Sequence, residues 1–317
     1  MWADAEPAQG ILYDRNKRIE AMSGGRLIIE THPNGALMGS AEIFDACNSG
    51  TIDEAGFTLH TFMGQVPSSP LFSARPLGMA AMPMMTWFEE FGGHEYMMQA
   101  LEPFNFGSAQ YFWITTPEDL CWSNVRMDTL ASWKGVKFRT KGLWANVLQD
   151  PRVGASVVTI AGSELYNALE RGILDATEYS TPGTDIQVGF YEICKYMMVP
   201  GIHQPSTTQM TVVYDETWAA LPDDLKAIYT EAMHATQTIA YANNIKTDIA
   251  ALRFFEELPS LEIIVCPDKL QQEFFAITDD LFKKESEKDP FFAEVYQSQL
   301  DFMKEFKMHE LYQVPKF

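Results

Sequence analysis

The stretch SELYNALERGILDATEY, residues 163–179, decides the fold because the chain contains it twice. AEIFDACNSGTIDEAGF, residues 41–57, aligns with it without a gap at an offset of 122 residues. Glu42, Ala46, Gly50 and Asp53 recur as Glu164, Ala168, Gly172 and Asp175. Ile43, Phe44, Asp45, Ile52 and Phe57 find near-equivalents in Leu165, Tyr166, Asn167, Leu174 and Tyr179. Each copy follows a stretch that reads as a strand: RLIIET (26–31) alternates apolar and polar residues, and SVVTI (156–160) is β-branched. Gly-Ser opens both, at Gly39-Ser40 and Gly162-Ser163, and a Ser with a Glu close behind predicts a helix N-cap. Leu165, Tyr166, Ala168 and Leu169 give a helical face, Gly50 and Gly172 stand where a helix ends in a left-handed residue, and a short strand follows.

The repeated unit is therefore strand, helix, strand. Such crossovers are right-handed and favour a parallel sheet. An offset of 122 residues exceeds the roughly 20–50 residues of a solenoid period, so two similar α/β lobes account for it, although two unrelated copies of a common unit give a similar pattern. Ligands in such sheets bind beyond the carboxyl ends of strands, which puts Phe57 and Glu178-Tyr179 at the walls of an expected cleft. Residues 1–122 with 212–258 are expected to form one lobe and 123–211 the other. Residues 259–317 are expected to be a C-terminal helical segment packing on the lobes or on a dimer partner. LCWSNVRM (120–127) and TTQMTVVYD (207–215) read as strands flanking the second unit. Between Pro222 and Pro259 neither Pro nor Gly occurs, and apolar residues recur from Leu225 to Phe255 at three- or four-residue steps. One unusually long helix bracing both lobes follows from that.

A chain of 317 residues suits about two domains. A net charge of −20 argues against nucleic acid, which needs clustered Lys and Arg, and disfavours anionic membrane surfaces. No window reaches the 18 or more apolar residues of a span. Cys47, Cys121, Cys194 and Cys266 lack the spacing of a zinc site and read as buried single thiols. The stretch MWADAEPAQG lacks the basic and apolar regions of a signal peptide, as expected either of a cytosolic chain or of a mature form.

No GxSxG, nucleotide-binding Gly-rich loop, GxxxxGK[ST] or HExxH is present, and the six histidines are scattered singly and read as structural. In WKGVKFRTKG (133–142), Val136, Phe138 and Thr140 alternate with Lys137 and Arg139. That pattern fits an exposed strand face, or a cleft strand in which the Arg139 guanidinium takes a carboxylate bidentately. Glu178 is either a loop carboxylate or a ligand for a hard cation, with Glu118, Gln204 and Gln209 as further oxygen donors. Oxygen ligation suits Na⁺ or Ca²⁺ rather than zinc. An enzyme using Glu118 or Glu178 as general base is the competing reading.

The ordered set IEAMSGGRLIIETHPNGALMGSAEIFDACNSGTIDEAG, SWKGVKFRTKG, SELYNALERGILDATEY and YDETWAALP resembles the solute-binding proteins of TRAP (tripartite ATP-independent periplasmic) transporters, dicarboxylate-type family, over nearly the whole chain. EYSTPGTDIQVGFYEICKYMMVPGIHQP is similar to the subgroup that binds small 2-oxo or 2-hydroxy monocarboxylates through a cation. The resemblance implies a two-lobed α/β fold, each lobe a mixed sheet flanked by helices, and a periplasmic receptor rather than an enzyme. It implies delivery of a small organic acid to membrane permease subunits, and no organic cofactor. Arg139 matches the arginine that pairs with the substrate carboxylate, Glu178 the acidic cation ligand, and Tyr179 the aromatic whose backbone oxygen also ligates. Gln204 is near the next side-chain ligand, and Glu118 stands where Gln is usual. Tyr179 replaces a Trp, and His60 lies in a Leu59-His60-Thr61 segment that departs from the subgroup. Phe57 and His60 are expected substrate contacts, Glu118 favours Ca²⁺ over Na⁺ or else means no metal, and a dicarboxylate or sugar acid is the alternative to a 2-oxo or 2-hydroxy acid such as pyruvate or lactate. Sensing instead of transport, and a homodimer, remain open.

Overall fold

A computed structural model describes residues 7–315, with the side chain of Ser163 outside the description. The strands in chain order are β1 (Glu54–Thr58), β2 (Phe106–Ile114), β3 (Cys121–Ser123), β4 (Lys137–Arg139), β5 (Ser156–Val158), β6 (Ala176–Thr177), β7 (Tyr196–Val199), β8 (Thr208–Tyr214) and β9 (Glu262–Val265). The chain divides into two compact units, Met1–Ser73, Met85–Thr115 and Thr208–Asn243 in the first, Ala74–Met84, Thr116–Thr207 and Asn244–Phe317 in the second. These bounds differ from the expected 122, 212 and 258. Helix Asp223–Glu256 changes unit at Asn243, and the C-terminal residues from 259 belong to the second unit.

In the first unit β8 lies between β1 and β2 and is antiparallel to both. Phe57 on β1 is fully buried, its ring 5.8 Å from Phe44 and 5.0 Å from Phe62, and Phe104 and Phe106 pack edge-on against Phe44 at 4.8 and 5.1 Å. A ring enclosed by aromatic neighbours offers no surface to a ligand, so Phe57 is a core residue and the expected substrate contact is corrected. Helix Pro7–Ser23 buries Ala8, Leu12, Arg15 and Ile19 at helical spacing, as a one-sided amphipathic helix does. Residues 26–31, expected as a strand, join neither sheet.

In the second unit the order is β5-β4-β6-β3-β7-β9, with β4 parallel to β5 and β6, β3 antiparallel to β6 and β7, and β7 parallel to β9. Phe138 centres β4 and stacks on Trp133 at 5.4 Å. Phe274, on helix Asp268–Lys288, meets Trp133 at 5.0 Å and Trp144 at 4.9 Å, so the C-terminal helices complete this core. The buried Arg75 guanidinium lies over the rings of Phe282 and Tyr296, at 5.7 and 5.2 Å, joining helix Pro290–Gln313 to it. All four cysteines are free and buried.

The two echo copies superpose element for element in sequence: helix Ile43–Asn48 and β1 in the first, helix Leu165–Glu170 and β6 in the second. Thr51 N–H donates to Ala46 O at 2.8 Å and Gly50 N–H to Cys47 O at 3.0 Å; Ile173 donates to Ala168 O at 2.9 Å and Gly172 to Leu169 O at 3.0 Å. This is the same Schellman closure twice, with Gly50 and Gly172 at φ 71° and 67°. The helices begin later than Ser40 and Ser163 suggest, with Glu42 and Glu164 at the N-cap and no side-chain cap bond.

Candidate cation and carboxylate site

Sheet topology gathers the site. β4 and β6 are parallel, so Arg139 at the end of β4 and Glu178 just past β6 emerge side by side. β3 runs against β6 and β7, so the residues entering β3 and those leaving β7 reach the same end. Glu118 precedes β3, and His203-Gln204 follow β7 after the cis bond Val199-Pro200. The two approaches are tied by Gly201 N–H donating to Glu118 O at 2.6 Å and Glu118 N–H to Gln204 O at 3.2 Å. A Cβ on Gly201 would fall 2.3 Å from the Glu118 carbonyl oxygen, so only glycine permits this approach.

Arg139 is 5% exposed and Glu178 8%. Arg139 Nη1 donates to Glu178 Oε1 at 3.3 Å and to its carbonyl oxygen at 3.5 Å, while Nε donates to Ile160 O at 3.2 Å. None of these bonds uses Nη2. Glu118 Oε1 accepts from Gln204 Nε2 at 2.6 Å, and Glu118 Oε2 lies 3.2 Å from His203 Nε2. Gln204 Nε2 also donates to Thr207 Oγ1. One ligand atom each from Glu118, Glu178 and His203 lie within 4.8 Å of one another, all three residues buried.

Burial pushes the Glu118 carboxyl well above its usual range, the Glu178 charge pushes it further, and Arg139 opposes both. Burial lowers His203 to about 4, the Glu178 charge opposing. The His203 imidazole is therefore neutral at neutral pH, and its short distance to Glu118 is a hydrogen bond, not an ion pair. Two desolvated carboxylates turned toward one another are an arrangement a cation relieves. The imidazole turns Nε2 to Glu118, and its Nδ1 is buried and without a hydrogen-bond partner among the described residues. The two carboxylates of Glu118 and Glu178 fit a hard cation, with His203 and Gln204 adjoining.

The structure thus brings together Arg139, Glu178, Glu118 and Gln204, and adds His203, which was expected to be structural. The signal was PGIHQP, where Gly201 and a proline turn fix a histidine beside a glutamine. Tyr179 follows Glu178, and its ring meets Phe190 edge-on at 5.9 Å. His60 belongs to the first unit, half-buried, with Nδ1 3.1 Å from Ser73 Oγ. Gln209 lies on β8 of the first unit, paired with Thr58. Behind the site, Trp122 Nε1 donates to Asp185 Oδ2 at 2.7 Å, and burial holds both Asp119 and Asp185 well above the usual carboxyl range.

A family model described as bacterial extracellular solute-binding protein, family 7, matches residues 1–289. A monocarboxylate 2-oxoacid-binding periplasmic protein of Nostoc sp. is 25% identical over 293 residues, 91% of this chain and 78% of that one. A TRAP periplasmic solute-binding protein of Colwellia psychrerythraea, with bound calcium and pyruvate, is 26% identical with a TM-score of 0.90, covering 98% of this chain and 94% of the other. One from Pseudoalteromonas atlantica, with bound sodium and pyruvate, is 25% identical with a TM-score of 0.88 at the same coverage. Among the described residues no helix is long and apolar enough to cross a membrane.

Proposed function

Because the chain belongs to the bacterial extracellular solute-binding proteins of family 7, a family of receptors rather than enzymes, we propose that it captures a small 2-oxo or 2-hydroxy monocarboxylate outside the cytoplasm for a TRAP permease. The observation that carries this is the convergence of Glu118, Glu178 and His203 within 4.8 Å, beside the buried Arg139. Arg139 pairs with the ligand carboxylate through the face of its guanidinium not used by Glu178 and Ile160. Glu178, Glu118 and the Tyr179 backbone oxygen hold the cation, with His203 and Gln204 positioning Glu118. The cation supplies positive charge for the 2-oxo or 2-hydroxy oxygen. Two carboxylates in the set favour Ca²⁺ over Na⁺. The calcium- and sodium-bound pyruvate complexes of the two structural relatives support this reading.

A thermal-shift screen of C2–C6 carboxylates, run with and without Ca²⁺, tests it. A ligand that binds only the folded state stabilises by about 2.7 kcal/mol at 100-fold saturation. Pyruvate or lactate is expected to raise Tm only with the cation. A response confined to dicarboxylates or sugar acids would contradict the monocarboxylate assignment.

A further inference from the structure

Glu118 and Glu178 reach the site on two separate stretches of backbone, residues 116–119 and 178–183, and one side chain outside the site bonds to both stretches. Asp248, on the long helix Asp223–Glu256, is 7% exposed and belongs to the second unit, as both stretches do. Its Oδ1 accepts from Gly183 N–H at 2.9 Å. Its Oδ2 accepts from Thr116 Oγ1 and, at 3.2 Å, from Asn244 Nδ2. Asn244 stands one turn earlier on the same helix face. Its Oδ1 accepts from Thr116 N–H at 3.2 Å, and its Nδ2 also donates to Thr181 Oγ1 at 3.4 Å. Thr116 lies two residues before Glu118, and Thr181 and Gly183 lie three and five after Glu178.

We propose that Asp248, with Asn244, is a positioning pair that fixes the spacing of Glu118 and Glu178, a role that rests on the cation reading of that site. Helix Pro182–Val188 starts just past Glu178 and Tyr179, and its N-cap residue Thr181 makes no side-chain cap bond. The Gly183 amide is one of the first-turn donors that a helix cannot satisfy internally, and the Asp248 carboxylate takes it. The start of this helix is thereby tied to the long helix. The approach is close: a Cβ on Gly183 would fall 2.6 Å from Thr247 Oγ1 and 3.0 Å from Asp248 Oδ1. The two stretches also bond directly, Asp119 N–H donating to Ser180 O at 2.9 Å. Two buried carboxylates repel each other before a cation arrives. Backbone held from behind resists their separation, so less reorganisation is left for binding to drive.

The pair has a polarity that can be exchanged. Asp248 accepts at both oxygens, so Asp248→Asn sets an amide NH₂ against the Asn244 amide or against Gly183 N–H and breaks one bond. In the double exchange, Asn244→Asp with Asp248→Asn, the carboxylate at 244 accepts from Thr116 N–H and from the new amide at 248. The amide oxygen at 248 keeps the Gly183 N–H. Charge and bond count inside the cluster are both retained.

The test titrates Tb³⁺, standing for Ca²⁺, into the 317-residue protein and its variants, with luminescence decay in H₂O and D₂O counting the waters on the bound ion. Asp248→Ala and Asp248→Asn are expected to bind Tb³⁺ about tenfold more weakly than wild type, the order of loss when a group that orients a metal ligand is removed. Each should also admit about one more water to the ion, as carboxylates drift apart. The double exchange is expected to restore both readings. Thr116→Val, which deletes a single bond to Asp248, should weaken binding less than Asp248→Ala and decides the matter if the Asp248 variants do not fold. Variants that melt lower but keep wild-type affinity and water count would show a role in stability alone and overturn the proposal. So would a double exchange that folds and stays as weak as Asp248→Asn. A wild-type protein that binds neither Tb³⁺ nor Ca²⁺ would overturn the cation reading itself.

Discussion

The two copies of the echo share a backbone and differ in what stands around them. Both close their helix on a left-handed glycine with the same pair of hydrogen bonds. In the second copy the residue after the short strand is Glu178, flanked by Arg139 from a neighbouring strand and by Glu118 and His203 from two more approaches. At the aligned position the first copy has Gly56, and the strand that would correspond to β4 has no described counterpart. The fold is thus carried by what the copies share, and the chemistry by neighbours that only one has.

The strongest way to break that contrast is to remove Arg139. Arg139→Ala is expected to abolish carboxylate binding in calorimetry, because it deletes the ligand's counter-charge and leaves Glu178 buried and unpaired, a loss of about 2–5 kcal/mol. Arg139→Lys keeps a charge without the planar fork and should recover only part of the affinity. Next comes Glu178→Gln, expected to lower calcium and carboxylate affinity together by at least about tenfold, roughly 1.4 kcal/mol. Its converse, Gly56→Glu, is expected to add no calcium by elemental analysis, since a lone carboxylate without the convergent partners makes no site. A second bound calcium would refute the claim that neighbours make the chemistry.

The shared closure is tested by Gly50→Ala and Gly172→Ala, both at positive φ, where strain costs about 1–3 kcal/mol. Gly50→Ala should be the worse of the two in urea melts, because its Cβ would meet the Tyr214 ring at 2.8 Å while that of Gly172 meets nothing within 4 Å. Equal losses would mean that backbone strain alone decides. The smallest effect belongs to Tyr179→Phe, which keeps the backbone oxygen and the ring on Phe190, and should leave affinity within about twofold, under roughly 0.5 kcal/mol.

Much of the fold was legible because it is periodic. The gap in Pro and Gly between 222 and 259 gave the long helix, observed at Asp223–Glu256, and the echo gave the paired units. RLIIET was misread because alternation reports a strand's shape but not the presence of a neighbour to pair with. Phe57 was misplaced because the strand-end rule locates a backbone, whereas its ring turned into an aromatic cluster. Arg139 and Glu178, singled out on residue type and resemblance, lie 3.3 Å apart. His203 was missed because its partners, Glu118 and Glu178, lie 85 and 25 positions earlier, and only the antiparallel pairing of β3 with β6 and β7 brings the three together. Asp119 and Asp185 escaped for the same reason.

Calorimetric titration of pyruvate into protein stripped of metal by chelator, then into the same sample restored with Ca²⁺, tests the central claim most directly. The account predicts weak or no heat without the cation and saturable one-to-one binding with it. Full affinity in demonstrably metal-free protein would contradict it.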